Sequence, residues 1–193
     1  MAEPWQTVLN FWFGRPDAPD YGQPRKEWFR KSQAFDNAVA ETLGPLYRKA
    51  IAAKFSTWRD APESCLALIL LFDQVPRNLF RGDPQAFATD PQALTLAKQV
   101  IAQKFDQDLW PIQRVFLYLP FEHSENLDDQ YQSLALFRQL EKNTEMGSDF
   151  LEYAQRHFDV IQQFGRFPHR NQILGRTSTE AELDFLAQPG SSF

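Results

Sequence analysis

The chain has 193 residues, 43% of them hydrophobic and 23% charged, a composition that supports a packed core and shows no sign of disorder. Twenty Lys and Arg against 25 Asp and Glu leave a net charge of −5, which argues against a bulk nucleic-acid binder. The lone cysteine, Cys65, excludes an internal disulfide and a cysteine-rich metal site, and the longest apolar run, Cys65 to Phe72, is too short to span a bilayer.

In chain order the apolar residues recur at spacings of three and four, the period of a helix. Val8, Leu9, Phe11, Trp12 and Phe13 form a first segment, stopped by Gly14-Arg15-Pro16. Ser32 is suited to cap a helix carrying Phe35, Val39 and Leu43, which Gly44-Pro45 breaks or kinks before Leu46, Tyr47, Ile51 and Phe55. Pro62 opens a helix through Leu66, Ile69 and Leu70 to about Gln74, and Asp90-Pro91 opens another through Leu94, Ala97, Val100 and Ile101. Pro111 opens the next, with Ile112, Val115, Phe116 and Leu119. Ser124 or Asn126 begins a helix through Tyr131, Leu134, Phe137 and Leu140. Ser148 is placed to cap a long helix with Phe150, Tyr153, Ala154, His157, Val160, Ile161 and Phe164 on one face. Thr179 and Glu182 fit a capping box ahead of Leu183 and Leu186. No segment reads convincingly as a strand, and no linker divides the chain. The expectation is one all-α domain over residues 1–193, built of antiparallel helices with short turns.

Five motifs, Phe11-Trp12-Phe13-Gly14, Leu71-Phe72-Asp73-Gln74-Val75-Pro76-Arg77-Asn78, Phe87-Ala88-Thr89-Asp90, Tyr118-Leu119-Pro120-Phe121-Glu122-His123-Ser124-Glu125 and Phe164-Gly165-Arg166-Phe167-Pro168-His169-Arg170-Asn171, together resemble a bacterial family, domain of unknown function 924. The resemblance runs in order along nearly the whole chain. It implies an α-helical fold similar to tetratricopeptide-like (TPR-like) arrays, and it brings no established catalytic residues. The tetratricopeptide consensus spacing itself is not found, so peptide binding follows from fold analogy alone.

Two of these motifs also resemble each other. Each has a helix end, a proline, an Arg-Asn pair, an apolar step and a further arginine: Pro76-Arg77-Asn78 to Arg81, and Pro168-His169-Arg170-Asn171 to Arg176. Ordinary helix termination explains the same pattern, since proline commonly follows a helix.

Helical spacing assigns Asp73, Glu122 and His157 to apolar faces, with His123 beside them at a helix end. Carboxylates at a helix C-terminus face the negative pole of the dipole, an opposition worth about 0.3–1 kcal/mol that invites a cation. Arg77 and Arg81 after one helix, and Arg166, Arg170 and Arg176 after another, are candidates, in segments that also hold Asn78, His169 and Asn171. One reading is a structural salt-bridge network. The other is a site for a small anionic metabolite, with guanidinium forks for a carboxylate or phosphate and Glu122, His123, His157 or Asp73 for acid–base work. In either reading Glu122 is expected to be ionised and paired with the basic loop, which holds the neighbouring His123 in place, and the loop's arginines also serve the carbonyls freed near Pro120. A different class of function is a helical module that binds a peptide or protein partner along exposed aromatics such as Trp5, Trp12, Trp28 and Trp58. No cofactor fingerprint or phosphate loop is present, and no histidine spacing requires a metal. The opening residues Met1-Ala2-Glu3-Pro4-Trp5 lack the basic and apolar parts of a secretory signal, so a cytoplasmic location without membrane partners is expected.

Overall fold

Proline in the first turn starts most helices of this chain, because its missing N–H would be unsatisfied there anyway and its fixed φ already suits the helix. The computed structural model describes residues 3–144 and 148–191. It places α1 at Pro4–Phe13, α2 at Gln33–Thr42, α3 at Gly44–Ile51, α4 at Pro62–Asp73 and α5 at Val75–Leu79. There follow α6 at Asp90–Ala102, α7 at Pro111–Glu122, α8 at Leu127–Asn143, α9 at Ser148–Phe164 and α10 at Glu180–Leu186. Short 3-10 turns fill several connections, among them Pro84–Phe87 and Pro168–Arg170. No strand occurs among the described residues, and the protein is all-α.

Local chemistry sets several boundaries as expected. Ser32 accepts a hydrogen bond from the Phe35 N–H, and Thr179 with Glu182 forms the capping box of α10. Gly44-Pro45 separates α2 from α3. The cap assigned to Ser148 rests on a side chain outside the described ones.

The core is organised around α4. Every residue from Ser64 to Asp73 is buried, on all faces and not only on the Leu66-Ile69-Leu70 stripe. A helix apolar all round belongs in the interior, and α4 is enclosed by α1, α3, α6 and α7. α8 closes over α7, and α9 packs on α8. Aromatic rings fill one end: Trp12 and Trp28 lie 5.6 and 4.8 Å from Phe116, edge to face. Trp12 and Trp58 are buried, while Trp5 and Trp28 pack against the core. These four indoles therefore do not line an open groove, and their size is spent on packing. Tyr131, Tyr153 and Leu183, expected on apolar faces, are half or more solvent-exposed because α8, α9 and α10 lie at the outside of the bundle.

Candidate functional site

The C-terminal ends of α4 and α7 meet, and they bring Asp73, Glu122 and His123 together beneath α9. Asp73 is fully buried, and its Oδ1 lies 2.7 Å from His123 Nδ1. Gln74 Nε2 donates to the other carboxylate oxygen at 2.6 Å. Arg77 on α5 approaches Asp73 Oδ1 at 3.5 Å, and its Nη1 also donates to the Asp73 main-chain carbonyl. Burial resists ionisation of Asp73, but the charges of Arg77 and His123 overcome it and hold the carboxyl well below the usual range.

Arg77 is the fork that joins two acids. It makes a two-pronged pair with Asp90 at the start of α6, at 2.8 and 3.0 Å. Thr89 fixes that start by donating from Oγ1 to the Phe72 carbonyl at 2.6 Å, which ties the beginning of α6 to the end of α4. Asp90 also faces Arg170, whose Nη1 lies 3.6 Å from Asp90 Oδ2.

Arg170 is held differently. Its guanidinium lies between two rings, 4.7 Å from the centroid of Phe87 and 4.5 Å from that of Phe167. It is buried, Nε has no hydrogen-bond partner, and no carboxylate comes within hydrogen-bond distance of it. Burial, followed by the neighbouring Arg77 charge, lowers its pKa to about 10, so it stays cationic at neutral pH.

Glu122 does not pair with the basic loop. Its Oε1 lies 3.2 Å from His157 Nδ1, which also hydrogen-bonds the Tyr153 carbonyl at 2.9 Å. Burial, then the nearby charge of Asp73, pushes Glu122 up to about 8, so the group is largely a neutral acid at pH 7. Burial likewise lowers His157 well below its ordinary value. His123 is lowered too, first by burial and then by Arg77, against the opposing pull of Asp73. The carbonyls at the end of α7 are met by Gln130 instead of an arginine: its Nε2 reaches those of Phe121, Glu122 and Ser124 at 3.3, 2.7 and 2.7 Å.

All three histidines of the chain gather here. His123 and His157 rings are 6.3 Å apart, and Phe167 stands 5.5 Å from His157 and 5.6 Å from His169. Burial lowers the His169 pKa to about 4. Among the described residues no three His, Cys, Asp or Glu side chains are set to hold a metal ion.

Other candidates go elsewhere. Arg81 pairs with Asp36 on α2, and Arg166 pairs with Glu182 on α10. Asn78 serves the Gln74 carbonyl, and Asn171 serves Ser178 and Glu182. The loop's acid partner is Glu125, held by Arg176 at 2.7 and 3.0 Å and by the Phe167 N–H. An open depression of about 680 Å³ beside α10 is lined by His169, Arg176, Ser178 and Leu183 among others, and it does not reach Arg170. Asp90, Phe87 and Gln130 were not singled out from the sequence. Asp90 and Phe87 stand in the Phe87-Ala88-Thr89-Asp90 motif, where Asp90 reads simply as the acidic start of a helix.

An all-helical protein with a buried charged cluster at its helix ends is thus the class that the geometry defines. The chain belongs to the family described as a bacterial protein of unknown function (DUF924), whose model matches residues 8–190. It is similar to the solved structure of ATU0120, a protein of unknown function from Agrobacterium tumefaciens, at 37% identity over 95% of this chain and 96% of that one, with a TM-score of 0.83. No curated protein matches the chain.

Proposed function

We propose that the protein binds a small anionic metabolite at Arg170, with Arg77 beside it and the Asp73–His123 pair facing the same cluster. The observation that supports this reading is the state of Arg170. A buried cation with an unsatisfied donor is costly, by about 1–3 kcal/mol for the missing hydrogen bond alone. Stacking on Phe87 and Phe167 fixes the plane of its fork without using its N–H groups. A guanidinium so aligned suits a carboxylate or phosphate oxygen. The site is reachable from the side where Arg77, Asp90 and His123 keep 20%, 18% and 13% of their side-chain surface exposed.

The test is a thermal melt with sulfate, acetate and small dicarboxylates, compared with chloride at matched ionic strength. At least one anion stabilises the wild type, and Arg170→Met abolishes the effect. Arg166→Met retains it, because Arg166 is committed to Glu182. Equal responses in wild type and Arg170→Met refute the reading.

A further inference from the structure

Resting on that reading, we infer that the anion held by Arg170 is taken up together with a proton, which His123 accepts at Nε2, so that the bound ligand faces an imidazolium able to act as its acid. The argument begins with connectivity. His123 touches Asp73, Asp73 meets Arg77, Arg77 grips Asp90, and Asp90 faces Arg170. On the other side Arg170 stacks on Phe167, Phe167 meets the His157 ring, and His157 stands beside His123. The contacts close into a ring, so a charge added at Arg170 is felt by every member of it.

The charge count of that ring is balanced without any ligand. Arg77 on α5 and Arg170 in the 168–170 turn are positive, whereas Asp73 on α4 and Asp90 on α6 are negative. Glu122 on α7 and His157 on α9 are neutral at pH 7, as is His169 in the turn, and outside the ring Glu125 is neutralised by Arg176. An anion entering this interior leaves one uncompensated negative charge in a medium where such a charge is expensive. A proton is the simplest remedy, and the geometry selects where it goes. His123 Nδ1 is already committed to Asp73, and its Nε2 makes no hydrogen bond among the described residues. The imidazole is partly open to solvent, and an imidazolium would be held by the Asp73 carboxylate at 2.7 Å. His157 is less suited, because its Nδ1 is bound to a main-chain carbonyl and to the neutral Glu122. His169 lines the outer depression, and burial together with the adjacent Arg170 charge holds it neutral.

The probes are inorganic sulfate and acetate between pH 6 and 7, where neither anion changes its own protonation and Glu122, pushed up to about 8, stays largely neutral. Three histidines make the imidazole nitrogen spectrum simple to assign, with His157→Gln and His169→Gln identifying the other two rings. A saturating anion is expected to raise the His123 midpoint by about one unit or more. Affinity then falls by up to about tenfold per pH unit above the free His123 midpoint, as linkage requires. Calorimetry on wild-type protein in two buffers of different ionisation heat, at a pH between the free and bound midpoints, reports net proton uptake of about half a proton per anion for a one-unit rise, approaching one for a larger rise. Arg170-dependent binding with no proton uptake, or with the proton on His157 or His169, overturns the inference and leaves the anion site standing. Absence of any Arg170-dependent binding overturns the anion site and this inference with it.

Discussion

Arg77 and Arg170 occupy similar places in two similar segments, four residues beyond the end of α4 and six beyond the end of α9, and one and two residues past a proline. They reach the same acid, Asp90, and the same ring, Phe87, yet they are held by opposite physics. Arg77 is satisfied by two carboxylates and a carbonyl, whereas Arg170 is satisfied by two aromatic faces and keeps hydrogen-bonding capacity in reserve. The first arrangement belongs to structure, since both terminal nitrogens are spent on the fold. The second leaves directional chemistry unspent, as expected of a residue that waits for something else.

That contrast breaks most sharply at Arg77. Arg77→Met leaves the buried Asp73 and the half-buried Asp90 without their shared cation, and the expected cost is about 3–5 kcal/mol, read from denaturant or thermal unfolding. A loss below about 1 kcal/mol would show that the pairing is not what holds these helix ends. Next comes the shared acid. Asp90→Asn keeps the shape but removes the charge from a pair that is mostly Arg77's, so a loss of about 1–3 kcal/mol is expected. Arg170→Met should have a much smaller effect, within about 1 kcal/mol in either direction, because an apolar chain of similar length fits between two rings and no carboxylate loses a hydrogen bond. Similar losses for Arg77→Met and Arg170→Met would erase the distinction.

At low pH the smallest effect is expected at Glu122. Its folded pKa of about 8 lies above the unfolded value of about 4.3, so the stability it contributes is fully present below the unfolded value and is lost as pH rises through about 8. Glu122→Gln keeps a neutral side chain of the same shape. The variant should melt with the wild type at pH 3.5 and above it at pH 8, by about 2–4 °C for each kcal/mol recovered. A variant that is strongly destabilised at pH 5 would mean that Glu122 is ionised in the fold after all.

The helical architecture was legible in the sequence because caps, prolines and apolar periods are local signals. Ser32, Thr179 with Glu182, and Gly44-Pro45 each act within a few residues of themselves. Part of the site was legible for the same reason. Asp73, Glu122 and His157 occupy positions that the helical period assigns to the interior, and they are buried. The period does not report which helix ends meet. Arg81 and Arg166 look as available as Arg77 and Arg170, but their partners are Asp36, 45 residues away, and Glu182, 16 residues away. Gln130 was invisible as the donor for the end of α7 because a glutamine in mid-pattern reads as surface, and only the close packing of α8 on α7 buries it. The charge state of Glu122 was misread because an acid near many arginines suggests pairing, whereas distance and burial decide it.

The placement of the indoles has an optical consequence. None of the five tryptophans makes a ring contact or hydrogen bond with a residue of the charged cluster, among the described residues. The emission of Trp12 and Trp28 therefore reports on the aromatic end of the bundle, where they surround Phe116, while the imidazole resonances report on the charged cluster. The protein carries two native reporters with little overlap. A perturbation that moves the imidazole signals and leaves the fluorescence unchanged is local to the helix ends, and one that moves both has loosened the bundle.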